Sequence, residues 1–298
     1  MGAHWIDLVD PTADELREAT AGTDLSPETI ERILTRAAAD PAPLLEPHGS
    51  CVLAVLAYPI ASPGARPEYL ELDVVASPDA LVTVRKTGPS EAAAPVDGIT
   101  ARVDAGASVG EVFHAAVDDA ADALLELLDD VYESIDALES EIERLSGADV
   151  RRRIAAVRDE LLRARRVSSS TRTIARRILD GRVDVGSAEL FPQEVENTFV
   201  DTYETLVRVT EELDVARDLL GGVRDYYQAK IAEQQNEVAK TLTVIASLVL
   251  VPSLIVGFYG QNFAAHFRDW YWSIGASVGL ILATTVVQLA IFRRKRWL

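Results

Sequence analysis

The chain has 298 residues, of which 47 are Asp or Glu and 29 are Lys or Arg, so its formal net charge at pH 7 is -18. So acidic a chain disfavours nucleic acid as a partner, because binding to phosphates requires a basic surface. The single cysteine, Cys51, excludes a disulfide within the chain and is typical of a reducing compartment.

Residues 1–100 alternate strand-like and helix-like segments and predict an α/β domain. Asp10-Pro11-Thr12 and Ser26-Pro27 are typical helix starts, with a capping side chain or a proline in the first turn. The domain has no glycine-rich phosphate loop and no catalytic Ser-His-Asp set, so nothing in it indicates an enzyme. Apolar, β-branched runs predict strands at 5–9, 51–60, 69–76 and 80–86.

Residues 107–182 predict an antiparallel pair of helices joined near Ser146-Gly147. Apolar residues recur at helical spacing throughout this region. The first helix is acidic over 118–143 and the second is basic over 151–177. Opposite charges favour their pairing, although an exposed ion pair contributes only about 0 to 1 kcal/mol.

A long helix follows, because after Pro192, at its start, no proline occurs before Pro252. About 70 residues of helix correspond to roughly 100 Å, and we expect residues 189–240 to form a stalk ahead of the membrane. Two explanations of its apolar seam remain open: parallel packing against copies of the chain, or packing on the two preceding helices. The seam consists of Phe199, Leu206, Val209, Leu213, Ala216, Leu220, Val223 and Tyr227.

Two uncharged apolar runs near the C-terminus predict two membrane-spanning helices, since about 20 residues of helix cross a bilayer core. The basic residues that follow the second run place the C-terminus in the cytoplasm by the positive-inside rule, and the N-terminus with it. The expected segments are a first span at 241–261, an external loop at 262–269, a second span at 270–292 and a basic tail at 293–298.

A face of small and polar residues continues along the first span. Such a face allows helices to approach closely, or it lines a hydrated path through the membrane. The pattern alone leaves both uses open. The residues are Asn236, Ala239, Thr243, Ala246, Leu250, Ser253, Gly257 and Gly260.

Three segments resemble the CorA family of divalent-cation channels: residues 236–243, residues 255–263 with Gly260-Gln261-Asn262, and residues 295–298. The opening Trp5-Ile6-Asp7-Leu8 is similar to the family's first strand. The resemblance implies a homopentameric funnel in the cell (inner) membrane, with a cytoplasmic α/β domain, a stalk helix that becomes the pore-lining span, and a second span outside it. It also implies Mg²⁺ as the transported and regulatory ion, with Co²⁺ and Ni²⁺ as further cargo, and no organic cofactor.

The resemblance assigns ion entry to Gly260, Gln261 and Asn262, which stand where the family has Gly-Met-Asn. Because Mg²⁺ gives up its water reluctantly, a ring of Asn262 amides suits the capture of a hydrated ion. Leu242 and Leu250 correspond to the family's apolar constrictions, which gate by excluding water. The full set of expected pore-lining residues is Asn236, Ala239, Leu242, Thr243, Ala246, Leu250, Ser253 and Gly257.

Asp201 aligns with the family's regulatory aspartate on the stalk. The resemblance implies that Mg²⁺ bridging Asp201 to a neighbouring subunit holds the pore closed, and that loss of this ion opens it. The partner carboxylate is expected from the α/β domain, where Asp73, Asp79 and Asp97 are the candidates.

Two departures from the family pattern leave other functions open. Gln261 replaces the signature methionine, and the outer loop is short and contains His266, whose imidazole suits softer metals. The family's proton-coupled zinc transporters, called ZntB, are therefore one alternative. A non-conducting, membrane-anchored oligomeric scaffold or sensor is an alternative of another class.

Overall fold

The computed structural model describes residues 3–35, 41–60, 66–183, 185, 189–266 and 270–297; the side chains of residues 261–266 and 270–273 lie outside that description. The chain divides into two compact units, Met1–Arg224 and Asp225–Leu298. The first unit contains the sheet, five helices and the start of the sixth. The second contains the remainder of the sixth helix and the seventh.

A five-stranded mixed sheet forms the centre of the first unit. The order across the sheet is β1-β5-β4-β3-β2; β1 is parallel to β5 and every other pair is antiparallel. Four of these strands were predicted, whereas β2 was not, because it contains Pro47, which is tolerated at a sheet edge. The strands are β1 (His4–Val9), β2 (Leu44–His48), β3 (Cys51–Ile60), β4 (Glu68–Ala76) and β5 (Ala80–Arg85).

Seven helices complete the described chain, and most begin at a capping side chain. Thr12 and Glu15 form a capping box at the start of α1, and the Ser26 hydroxyl accepts from the Thr29 amide at the start of α2. The helices are α1 (Ala13–Ala19), α2 (Pro27–Leu34), α3 (Asp97–Asp104), α4 (Val109–Glu141), α5 (Gly147–Leu179), α6 (Gln193–His266) and α7 (Trp270–Arg294).

Helix α3 was not predicted from the sequence, because it is short and its N-cap residue makes no side-chain hydrogen bond. The carboxylate of Asp119, on α4, accepts from the Gly98 amide instead. The approach is close: a Cβ at position 98 would lie 2.4 Å from Asp119 Oδ1. A larger residue at position 98 would displace the Asp119 side chain, so the glycine fits a tertiary contact that no local pattern displays.

Helices cover both faces of the sheet. Tyr58 donates its hydroxyl to the Ala116 carbonyl and so ties β3 to α4 on one face. On the other face, Leu16 and Ile33 from α1 and α2 pack on Leu53 and Val75. Burial on both faces explains why the central strands are apolar almost throughout.

The apolar seam of α6 packs within its own chain, which decides between the two explanations left open above. Phe199 meets His114 of α4 edge to face, with ring centroids 4.8 Å apart. Ser168 of α5 hydrogen-bonds Thr210 at 3.0 Å. Seven of the eight seam residues are buried within the single chain and so are not available for packing against copies. They are Phe199, Leu206, Val209, Leu213, Ala216, Leu220 and Val223.

Two helical segments are long and apolar enough to cross a membrane, one in α6 and one in α7. Their apolar windows are almost wholly exposed in the chain, unlike those of a core helix in a soluble protein. The structure differs from the prediction at residues 262–269, since α6 continues through Asn262 to His266. The stretch 261–266 contains no proline or glycine, and its two alanines favour helix.

Candidate pore face and regulatory aspartate

The predicted pore-lining residues lie together on one exposed face of α6. Leu242 is 61% exposed and Leu250 65% exposed, although both are large apolar side chains. Within the described part of the second unit, nothing covers this face. Its described members are all exposed: Asn236, Ala239, Leu242, Thr243, Ala246, Leu250, Ser253, Gly257 and Gly260.

A different face of α6 is partly or fully buried within the second unit. Its residues recur at helical spacing: Val244, Ser247, Leu248, Val251, Pro252, Ile255 and Tyr259. A matching stripe occurs on α7, at Ser277, Ile281, Thr284, Thr285, Gln288 and Phe292. A direct bond joins the two stripes, because Gln288 Nε2 donates to the Ser247 carbonyl at 3.2 Å. The α7-contacting face of α6 and the predicted pore face are therefore distinct.

The hydroxyls on the exposed face have their protons engaged in their own helix. Thr243 Oγ1 donates to the Ala239 carbonyl at 2.8 Å, and Ser253 Oγ donates to the Val249 carbonyl at 2.7 Å. What each hydroxyl presents outward is therefore its lone pairs. Lone pairs accept hydrogen bonds from the water shell of a hydrated cation, so the face is chemically suited to such an ion.

No contact among the described residues requires the glycines of the exposed face to lack a side chain. A Cβ at Gly257 or at Gly260 would meet nothing within 4 Å. Neither position has the positive φ that favours glycine. Gln261 and Asn262 follow within the same helix, with side chains outside the described set. The side chain of His266 also lies outside the described set.

Asp201 is exposed on α6, while its neighbour Thr202 is buried and fixed in a polar chain. Thr202 Oγ1 donates to Asp118 Oδ1 at 2.6 Å and lies 3.0 Å from His114 Nε2. Because the threonine proton is used on Asp118, His114 must donate through Nε2. Burial lowers the pKa of His114 and so favours its uncharged form, while the charge of Asp118 and a hydrogen bond with the Thr198 backbone act in the opposite direction. Sequence reasoning missed this bridge, because its members are more than 80 residues apart.

Several carboxylates lie around this bridge. Burial, and then the charge of Asp118, raises the pKa of both Asp119 and Asp122. Asp97 adds to the effect on Asp119. Excess negative charge of this kind attracts cations, but among the described residues no three His, Cys, Asp or Glu side chains converge to hold a metal within one chain.

The three candidate partners of Asp201 have different surroundings. Asp79 and Asp97 are exposed and accessible to another subunit. Asp73 is only 1% exposed, and its Oδ2 lies 3.0 Å from Lys86 Nζ. Because a ligand to an ion shared between subunits must be accessible, Asp79 and Asp97 fit the role better than the buried Asp73.

Asp73 belongs to a buried charge cluster that the sequence did not reveal. Lys86 also forms an ion pair with Glu71 at the same sheet face. The charge of Lys86, and its hydrogen bonding to Asp73, favour the ionised form of the Asp73 carboxyl and so oppose the effect of its burial. Burial is the main cause that raises the pKa of Asp73 to about 7. The cluster borders a cavity of about 150 Å³ that Arg32 and Ile33 also line.

An α/β domain, a long helix that runs into an apolar span, and a second apolar helix together define a two-span membrane protein. Residues 2–294 match the family model described as CorA-like Mg²⁺ transporter protein, so the chain belongs to that family. This confirms the resemblance stated from the sequence.

Comparisons with individual proteins agree with the family assignment. The chain is 25% identical to the cobalt/magnesium transport protein CorA of Thermotoga maritima over 189 residues, which is 63% of this chain and 52% of that protein. The chain thus spans about half the length of the curated relatives with the strongest matches.

Solved structures share the fold. The complete CorA magnesium transporter of Methanocaldococcus jannaschii superposes with a TM-score of 0.78 at 16% identity, over 99% of this chain and 91% of that one. The cytoplasmic domain of ZntB from Vibrio parahaemolyticus superposes with a TM-score of 0.60 at 13% identity, over 78% of this chain and 89% of that one. At these identities the likeness concerns fold alone, and the predicted α/β domain, long helix and two C-terminal apolar helices are confirmed.

Proposed function

We propose that this protein is a membrane channel for hydrated divalent cations, with Mg²⁺ as its main cargo and Co²⁺ and Ni²⁺ as further cargo. The observation that carries the proposal is the exposed face of α6, which joins small residues, hydroxyls and leucines in one stripe and remains free after α7 is packed. A stripe so constituted suits a water-filled path between several copies. Family membership supports the same function, and the curated relatives carry names of magnesium and cobalt transport proteins.

The assembly in this proposal is a homopentamer in the cell membrane, with both termini in the cytoplasm. Arg293 and Arg294 close α7 on the cytoplasmic side, in keeping with the positive-inside rule. Five copies of α6 surround the path, and α7 lies outside them. The bare glycines at 257 and 260 then allow close approach between neighbouring copies.

Ion selection in this proposal takes place at Asn262. Five neutral amide oxygens accept hydrogen bonds from the waters of a hydrated ion, so the ion enters without losing its shell. The binding is weak enough for release, as conduction requires. Below this ring, Ser253 and Thr243 continue the row of acceptors, while Leu250 and Leu242 form constrictions that exclude water when closed.

Regulation in this proposal is by intracellular Mg²⁺ between subunits. Asp201 of one copy and Asp79 or Asp97 of the next copy hold the ion, and the uncompensated charge around Asp118 and Asp119 draws cations to the region. Carboxylates from two chains are needed, which agrees with the lack of a complete set among the described residues of one chain.

The decisive experiment measures uptake of Mg²⁺, Co²⁺, Ni²⁺ and Zn²⁺ by the full chain in proteoliposomes, with and without a proton gradient. We expect Mg²⁺ flux that does not depend on the gradient and that is lost in Asn262→Ala while the oligomer stays intact. Gln261→Met, which restores the usual signature, is the matched control and should conduct. Proton-dependent Zn²⁺ uptake would replace this proposal by the zinc-transporter alternative, and the lack of any flux would replace it by the scaffold alternative.

A further inference from the structure

Gln288 is an amide side chain inside the apolar part of α7. In hydrocarbon an amide without partners costs several kcal/mol, so polar side chains in a span face protein and are functional candidates by default. Gln288 is half-buried on the α6-facing stripe, together with Thr284 and Thr285. The Thr284 hydroxyl is satisfied by its own helix, at the Leu280 carbonyl. Gln288 instead reaches the other helix.

The partner of Gln288 is the main chain of α6. Its Nε2 donates to the Ser247 carbonyl at 3.2 Å, whereas the Ser247 hydroxyl is occupied at the Thr243 carbonyl at 2.7 Å. The contact therefore does not depend on which side chain occupies position 247. It fixes the backbone of α6, and hence the rotation of that helix about its own axis relative to α7.

The bond lies beside a weak point of α6. Pro252 is inside the helix and has no N–H, so the Leu248 carbonyl, four residues earlier, receives no helical hydrogen bond. Ser247 is the residue immediately before Leu248. The amide thus holds α6 just ahead of the place where its hydrogen-bond ladder is interrupted, and Leu250 and Ser253 of the exposed face lie at and around that interruption.

The bond adds little net stability. Gln288 Oε1 is buried and has no hydrogen-bond partner among the described residues. The free energy gained from the Nε2 hydrogen bond is nearly offset by the cost of burying Oε1 without a partner. An apolar side chain of similar length would have neither the gain nor the cost. Packing alone therefore does not account for an amide here, whereas control of helix rotation does.

We propose that Gln288 is a positioning residue of the pore: its bond to the Ser247 carbonyl sets which side of α6 faces the ion path at Leu250 and Ser253. The proposal rests on the proposed function, in which that face lines the path. The side chain touches no ion. It acts only through the orientation of α6.

Two variants of the full chain test the proposal in proteoliposomes. Gln288→Met keeps the length and removes the donor; we expect Mg²⁺ flux to change about tenfold, as a small misplacement of a site can cause, while the melting temperature stays within about 4 °C. Gln288→Glu retains a donor only as the neutral acid. Relative to the unmutated protein, its flux should match while the carboxyl is protonated and approach that of Gln288→Met once a rise in pH ionises it, because the ionised carboxylate cannot donate.

A chemical readout tests rotation without any transport. Cys51 is buried, so an introduced cysteine is the accessible thiol among the described residues. We compare the rates at which a charged methanethiosulfonate labels Ser253→Cys on the pore face and Val256→Cys, which is 58% exposed but off that face. Gln288→Met should change the ratio of the two rates about tenfold.

The outcomes separate the two proposals. If the unmutated protein carries no divalent cation, the proposed function fails, and the labelling ratio still decides on Gln288. If flux and the labelling ratio are both unchanged in Gln288→Met, the positioning role is overturned. The positioning role would also be overturned if Gln288→Met greatly lowered the melting temperature and raised both labelling rates together, with no pH-dependent rescue in Gln288→Glu. That pattern would indicate loss of packing.

Discussion

His114 on α4 and Thr202 on α6 are joined by a hydrogen bond of 3.0 Å between Nε2 and Oγ1, and Thr202 directly follows Asp201. Asp118 accepts the Thr202 proton at 2.6 Å, so one hydroxyl links two groups of α4 to α6. The bridge fixes the backbone at the residue that we propose as a regulatory ligand. Its integrity should therefore matter for both stability and regulation.

Thr202→Val tests this bridge. Valine keeps the shape but leaves His114 and Asp118 without their buried partner, which should cost about 1 to 3 kcal/mol of unfolding free energy. Displacement of Asp201 should also weaken inhibition of flux by Mg²⁺. Thermal unfolding and flux at several Mg²⁺ concentrations measure the two effects.

Thr198→Val is the matched control, since the Thr198 hydroxyl donates to the Val195 carbonyl within α6. It removes a hydroxyl one turn earlier without breaking a link between helices. Equal losses in the two variants would show that the bridge has no special role.

Asp201→Ala should increase Mg²⁺ flux when the cytoplasmic side contains millimolar Mg²⁺, because the closed state loses its bridging ion. Stability should change little, since Asp201 is exposed. Flux is measured against internal Mg²⁺ concentration. Asp218→Ala, an exposed carboxylate further along the same helix, serves as the control, and an unchanged Mg²⁺ response in Asp201→Ala would remove this residue from the regulatory site.

The sequence was sufficient to predict those parts of the protein that depend on local pattern. Uncharged runs predicted the spans and β-branched runs predicted four strands. Periodicity predicted the apolar seam of α6 but not its packing partner. The same spacing fits packing against a copy of the chain and packing against another helix of the same chain. The structure was needed for that decision.

The side-chain contacts that the sequence could not predict depend on distant partners. Gln288 meets Ser247 across two helices, and Asp73 meets Lys86 across two strands. A weak signal was present in each case: an amide in an apolar span, and an acid in an apolar strand. Such a signal indicates that a partner exists without saying which one.

Asp73→Asn should alter how stability depends on pH. The pKa of the folded carboxyl is about 7, against about 3.9 in an unfolded chain. Between these values the folded state holds a proton that the unfolded state has lost, so stability falls as pH rises from about 4 to about 7 and stays low above that range. The contribution is on the order of 4 kcal/mol.

Asparagine is neutral at every pH, so Asp73→Asn should remove this decline and be more stable than the unmutated protein at about pH 8. Lys86 keeps its pair with Glu71 in the variant. Thermal unfolding of the full chain at several pH values measures the difference, with exposed Asp79→Asn as control. Parallel pH profiles for Asp73→Asn and the unmutated protein would contradict the raised pKa.

Leu250→Ala should weaken the closed state of the path. Leu250 is 65% exposed in the chain and Ile245, which lies off the predicted pore face, is 55% exposed. Truncating either side chain therefore has a similar cost within one subunit, and a difference between them must arise in the assembly. If five copies of Leu250 form an apolar constriction that excludes water, shortening them admits water and raises flux at inhibiting Mg²⁺ about tenfold, whereas Ile245→Ala leaves it unchanged. Equal effects from the two substitutions, measured as Mg²⁺ leak into proteoliposomes, would mean that Leu250 does not face the path.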